Sequence, residues 1–404
     1  MNENYKKNLL LFLTSQAISL FGSSLVQYAI IWYITLKSES GIILTISILC
    51  GFLPTFFVSP FAGVWADRYN RKVLIILSDS MIAISTLVLA IVFLLGFDGI
   101  WLLFFMSAIR ALGAGVQIPT VGAFLPQLVP EDKLTKVNAT NGSIQAVIML
   151  ISPMLSGALL SMANIETIFF IDVFTAAIAV CTLLFFLKVP IHAKALEMQT
   201  LSYFADLRLG FIYIKNHKYV KQFFLFCAFF FFLAAPVAFL TPLQVVRSFG
   251  NDVWRLTVVE IAFSCGMVIG GIILAYWEGF KNRIYTMTVS SVIIGACTFA
   301  LGVTPNFWLY LVFLGIIGVS LPFFNTPSTV LLQEKVEGDF LGRVYGVFGM
   351  ISSSMMPLGM LIFGPLSDII KIEWLLIVTG ILLFSQSFFL ISNKALLRAG
   401  KSTE

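Results

Sequence analysis

Apolar residues run along this chain in long blocks, and polar residues arrive in short clusters between them. A helix needs roughly 20 mostly apolar residues to cross the hydrocarbon core of a bilayer. Twelve blocks meet that length: 8–35, 41–66, 73–95, 100–124, 136–162, 166–187, 219–246, 253–277, 284–303, 306–332, 341–369 and 373–392. The pattern predicts an all-α membrane protein with twelve transmembrane helices. The first block follows Lys6-Lys7 with no A-x-A site after it, so it reads as an uncleaved first span.

The longest polar interruption is 188–218. Within it, Leu201, Phe204, Leu207, Phe211 and Ile214 fall three or four residues apart, which predicts an amphipathic helix lying on the membrane surface. The loop divides the spans evenly. The expected organisation is an N-terminal six-helix half (1–187), a loop with an interfacial helix (188–218) and a C-terminal six-helix half (219–404). Two short matches support a duplication. Residues 127–137 after the fourth span align with 333–344 after the tenth, and Trp65-Ala66-Asp67 aligns with Tyr276-Trp277-Glu278, placing Lys72 beside Arg283.

Composition sharpens this picture. The chain is 59% apolar and 11% charged, against about 45–50% and about 25% in soluble domains. A net charge of +5 would point a soluble protein towards nucleic acid; here it follows the loops, and no nucleic-acid partner is expected. Of the 25 Lys and Arg, Lys37, Arg247, Arg255 and Lys371 fall on one side, Arg110 lies within a span, and all the others fall on the opposite side. That bias predicts both termini in the cytoplasm. The five cysteines lie in apolar segments and read as small buried residues. With only two histidines, both in one loop, a metal site or a catalytic triad is not expected. No phosphate-binding lysine motif is present, so no nucleotide-hydrolysing domain is expected and energy must come from an ion gradient or from a substrate.

The sharpest motif is Gly63-Val64-Trp65-Ala66-Asp67-Arg68-Tyr69-Asn70-Arg71-Lys72, between the second and third spans. Glycine permits close helix approach, and an aspartate at the membrane edge can pair with arginine or sit at a helix N-terminus. Gly63, Asp67, Arg68, Arg71 and Lys72 are the expected gating residues, and Asp67→Asn is expected to impair gating; a solvated positive loop is the plainer alternative. The segment resembles the G-x-x-x-D-R-x-x-R-K signature of the major facilitator superfamily. The resemblance extends along the chain. Arg110, followed by Gly113 and Gly115, is similar to the family's membrane-embedded arginine motif. Ser152-Pro153-Met154-Leu155-Ser156-Gly157 resembles its antiporter signature, with serines in place of glycines, so Pro153 and Gly157 are hinge candidates. Phe170-Ile171-Asp172 and Pro242 look like the branch that includes macrolide efflux proteins, which also resembles siderophore exporters and lysophospholipid transporters.

Charges within spans are costly, about 2.5–3.5 kcal/mol each on insertion scales, so each should face a partner or a cavity. Asp172, Glu260, Asp79 and Arg110 are the proton-coupling candidates, with Asp172 foremost. The plainer reading is structural, for example Asp79 paired with Arg110. Gly266 and Gly270, and Gly342, Gly346 and Gly349, lie at spacings that let helices pack closely. Most of the 40 Phe should face lipid or neighbouring helices; a few could line an apolar cavity with Gln16, Gln27, Gln117, Gln145 and Asn325.

The resemblance implies a monomeric major facilitator fold of two pseudo-symmetric halves, in a bacterial plasma membrane, without cofactors. Its implied partners are protons, membrane lipids and a small amphipathic substrate such as a macrolide, exported by alternating access. Export of an endogenous siderophore or lysophospholipid, or a transport-dead sensor, stays open. A membrane enzyme is disfavoured by the scarcity of histidine.

Overall fold

The structure, a computed structural model, describes residues 5–130, 133–187 and 212–401. Twelve of its helices are long and apolar enough to cross a membrane. In chain order the helices are α1 (Tyr5–Ser38), α2 (Gly41–Arg68), α3 (Arg71–Leu94), α4 (Ile100–Leu128), α5 (Leu134–Met162), α6 (Ile165–Cys181), α7 (Lys218–Phe239), α8 (Thr241–Phe249), α9 (Val253–Trp277), α10 (Arg283–Val303), α11 (Phe307–Lys335), α12 (Gly338–Ile369), α13 (Ile372–Ser392) and α14 (Lys394–Ala399). Among the described residues there is no named strand, only one isolated bridge between Asn282 and Lys401.

Local chemistry sets the helix ends. Asn70, Asn282, Asn306 and Asn393 each accept hydrogen bonds from backbone N–H groups two or three residues on, capping α3, α10, α11 and α14. The expected seventh span is one apolar run but two helices. It breaks at Leu240, because Pro242 lacks the N–H needed to continue the ladder and suits the first turn of a new helix. Helix α6 ends in a π-helical turn, Thr182–Phe186.

The chain forms two compact units, Met1–Lys37 with Ile46–Thr200, and Ser38–Thr45 with Leu201–Glu404. In the first, α3 packs on α4 and α6; in the second, α10 packs on α11 and α13. These are the third span on the fourth and sixth, and the ninth on the tenth and twelfth. The duplication therefore reappears as a repeated packing pattern. Its register differs by one residue from the sequence alignment. Asn70 and Asn282 are equivalent caps, and Arg71 and Arg283 each donate to a carbonyl five residues back, Ala66 and Glu278. Arg283 thus corresponds to Arg71 and not to Lys72.

Residues Ser38–Thr45 sit in the second unit because Asp368 holds them. Its carboxylate accepts from the backbone N–H of Gly41 (2.7 Å) and Ile42 (2.9 Å) and from Ser40 Oγ (2.8 Å), and pairs with Arg247 at 2.7 Å. An anion at a helix N-terminus meets both the unsatisfied N–H groups and the positive end of the dipole.

Small residues create the tightest seams. A Cβ at Gly266 or Gly270 of α9 would collide with the backbone of Gly315 or Val319 on α11. A Cβ at Gly346 or Gly349 would meet nothing within 4 Å, and the same is true of Gly63. Close packing at these three positions is thus not found; they lie on open helix faces. Gly342 is helical but its surroundings are not described, and the amphipathic helix up to Phe211 lies outside the described residues. From Ile212 to Asn216 the chain is helical, and Ile214 is buried. Of the cysteines only Cys227 and Cys297 are buried. Cys181 and Cys265 are exposed, which lipid as solvent permits for so apolar a side chain, so the expectation of five buried cysteines is corrected.

Candidate functional site

The first unit contains two separate buried carboxylates. Arg110 of α4 donates to Asp172 Oδ2 of α6 at 2.6 Å, and the two side chains are 8% and 0% exposed. Thr86 of α3 donates to the same oxygen at 2.8 Å and contacts Arg110 Nη1. Ser23 of α1 donates to Asp172 Oδ1 (3.2 Å) and offers its carbonyl to Arg110 Nη2 (3.2 Å). Helix α1 comes this close because Gly22 has no side chain; a Cβ there would lie 2.9 Å from Asp172 Oδ1. Four helices therefore meet at one ion pair. The expected alternative, Asp79 with Arg110, is not formed.

Asp79 of α3 is 1% exposed and has a different environment. Gln117 Nε2 donates to its Oδ1 at 2.7 Å, Ser19 Oγ to Oδ1 at 3.2 Å and Gln16 Nε2 to Oδ2 at 3.4 Å. Gln117 also reaches Gln16 Oε1 at 3.4 Å. Among the described residues no cation pairs with Asp79. Two of the expected cavity amides, Gln16 and Gln117, are thus brought together around a carboxylate. Gln27 and Gln145 are exposed and do not join them.

The motif spanning the end of α2 and the start of α3 caps backbone carbonyls through Arg71 and Lys72. Arg71 donates to the Ala66 carbonyl and to the Ala123 carbonyl of α4, both at 2.8 Å. Pro126 has no N–H for the Gly122 carbonyl, which loosens the α4 ladder beside Ala123. Lys72 Nζ donates to the carbonyls of Leu187 (2.8 Å) and Leu184 (3.4 Å), where the π-helical turn leaves acceptors unsatisfied. Arg68 is exposed, and the Asp67 side chain lies outside the described residues. In α5, which contains Pro153, Ser156 donates to the Leu25 carbonyl of α1 at 3.0 Å, and Gly157 beside it is buried.

In the second unit, Glu260 of α9 and Asn325 of α11 line an apolar cavity of about 270 Å³. Among the described residues nothing hydrogen-bonds to the Glu260 carboxylate or pairs with it. Tyr310 donates to the buried Gln244 at 2.9 Å, and Gln244 donates to the Leu301 carbonyl. Sequence reasoning missed Ser19, Ser23, Thr86, Gln244 and Asp368. Serine and threonine in spans usually bond their own backbone one turn back, as Thr35 and Ser78 do here, so composition does not single out the few that reach across.

Twelve spans, a repeated helix-pairing pattern and charges buried within the spans define a polytopic membrane transporter. The model of the Major Facilitator Superfamily matches residues 12–360, and the chain belongs to that family. It is therefore a transporter and not an enzyme. It is 30% identical over 382 residues to macrolide efflux protein A of Streptococcus pyogenes, covering 94% of each chain. It is 23% identical over 404 residues to the staphyloferrin A transporter of Staphylococcus aureus, covering 97% of this chain and 98% of the relative. The fold is also that of a bacterial homologue of the human lysosomal transporter Spinster, with a TM-score of 0.76 over all of both chains at 13% identity.

Proposed function

We propose that this transporter exports bulky amphipathic compounds, macrolides among them, by proton-coupled antiport with alternating access. It acts as a monomer in a bacterial plasma membrane, with both termini in the cytoplasm. The observation that carries the proton coupling is the setting of Asp79. It is held by Gln16, Ser19 and Gln117, all neutral. An ionised carboxylate only accepts hydrogen bonds, whereas a protonated one also donates, and an amide can do either by turning over. Both protonation states of Asp79 can therefore be satisfied without stranding a cation. Protonating Asp172 instead would leave Arg110 uncompensated. Asp79 is the proton carrier in this reading, and the Asp172–Arg110 pair holds the four helices that surround it.

Likeness to the macrolide efflux protein supports the substrate class. Export of an endogenous amphiphile is the second reading, favoured by likeness to the staphyloferrin A transporter. The test is accumulation of a labelled macrolide in cells making the intact protein or Asp79→Asn, with and without a protonophore. Low accumulation that rises on collapse of the gradient, and is already high in the variant, supports the proposal. Accumulation that equals that of cells lacking the protein removes macrolides as substrates. Efflux by Asp79→Asn that still responds to the protonophore removes Asp79 as the carrier.

A further inference from the structure

In the second unit, among the described residues, nothing balances the Glu260 carboxylate where it lines an apolar cavity. It projects from α9 into a cavity of about 270 Å³ whose walls include Phe230, Phe231, Phe263, Leu314 and Met356. The other polar groups there are already engaged or neutral. Thr241 donates its hydroxyl to the Val237 carbonyl, and Asn325 carries no charge. Among the described residues no lysine or arginine lines the cavity. A carboxylate taken out of water gains nothing from apolar walls and is stabilised there by a proton or by a counter-charge. The aromatic faces supply the complementary feature, because a ring quadrupole attracts a cation and accommodates its alkyl groups.

We infer that this cavity is a binding site for the ammonium head of a lipophilic amine, with Glu260 as its counter-ion and Phe230, Phe231 and Phe263 around its carbon substituents. The inference rests on the export function proposed above and names the chemical class of its substrate. It also gives the two halves separate tasks. The first unit exchanges the proton at Asp79, and the second selects for positive charge. A substrate without a basic nitrogen would leave Glu260 unpaired and bind poorly. A quaternary ammonium, which has no proton to give, would still bind.

Equilibrium binding to the purified full chain in lipid nanodiscs tests this without any gradient, so its outcome is independent of whether export is proton-coupled. The probes are radiolabelled benzyltrimethylammonium and its uncharged carbon isostere, neopentylbenzene. The expected result is saturable binding of the ammonium, at least tenfold weaker in Glu260→Gln and largely kept in Glu260→Asp, with neopentylbenzene binding equal in wild type and Glu260→Gln. Equal ammonium binding by wild type and Glu260→Gln overturns the inference. So does absence of ammonium binding in a preparation whose monodispersity and melting temperature match the wild type. Loss of macrolide efflux in Glu260→Gln with unchanged ammonium binding also overturns it, because Glu260 would then act on the proton instead.

Discussion

Arg110 and Asp172 meet at 2.6 Å across 62 residues of sequence, and neither side chain is more than 8% exposed. Breaking a buried pair from one side leaves an uncompensated charge, at a cost of about 3–5 kcal/mol. Arg110→Gln and Asp172→Asn are each expected to lower the melting temperature of the detergent-solubilised protein sharply. The double variant should recover much of the loss, since no charge is left behind. Additive losses would show that the pair is not coupled. Recovery in the double variant would favour a stabilising role for Asp172 over its expected place as the foremost proton-coupling candidate.

Asp79→Asn replaces a carboxylate among neutral donors with an isosteric amide, so its unfolding free energy should stay within about 1 kcal/mol of wild type. Its export should no longer respond to a pH gradient. Gln117→Leu removes the shortest hydrogen bond to Asp79, at 2.7 Å, and should shift the pH dependence of export while leaving substrate binding intact. An unchanged pH profile would detach Gln117 from the proton site.

Lys72→Met deprives the carbonyls of Leu184 and Leu187 of their donor. The loss should be about 1.5–3 kcal/mol, as for other hydrogen bonds made by charged groups, and should appear as faster hydrogen exchange at the end of α6. Lys72→Arg should restore most of the protection. If Lys72→Met exchanges like wild type, the capping contact contributes nothing.

Gly270→Ala should abolish stable expression, because the new Cβ collides with Val319 and neither backbone can withdraw. Gly346→Ala and Gly349→Ala should be tolerated within about 0.5 kcal/mol, since both positions open onto free space. Thermal unfolding of the three variants distinguishes a seam from an exposed face.

Asp98, in the turn before α4, accepts hydrogen bonds from Lys37 and then from Tyr33, which hold its carboxyl below the ordinary carboxylate value. A depressed value contributes stability above the unfolded-state pKa, and that contribution is lost as pH falls through the folded one. Melting temperatures of wild type and Asp98→Asn should therefore differ by a constant amount from pH 8 to pH 5 and converge only in stronger acid. Convergence near neutral pH would contradict the assignment.

The spans were legible because their signal is local. A bilayer demands a fixed length of apolar helix, and each block meets that demand by itself. Gly266 and Gly270 were legible for a similar reason, since residues four apart share a helix face. Gly346 and Gly349 of α12 are also at helical spacing but meet nothing, because spacing places a residue on a face and leaves open what that face meets. Arg71 and Lys72 were recognisable as a basic pair, but the carbonyls they cap lie in α4 and at the end of α6.

What the sequence determined by itself was the number of spans and the set of residues too polar for lipid. Which carboxylate takes Arg110, which is left with amides and which faces an apolar cavity alone were decided by tertiary structure. The physical reason is that an insertion cost depends on the residue and its depth, whereas a partner depends on the rotation of each helix about its axis. That rotation is set by packing, here by Gly22 bringing α1 onto Asp172 and by Thr86 standing between α4 and α6.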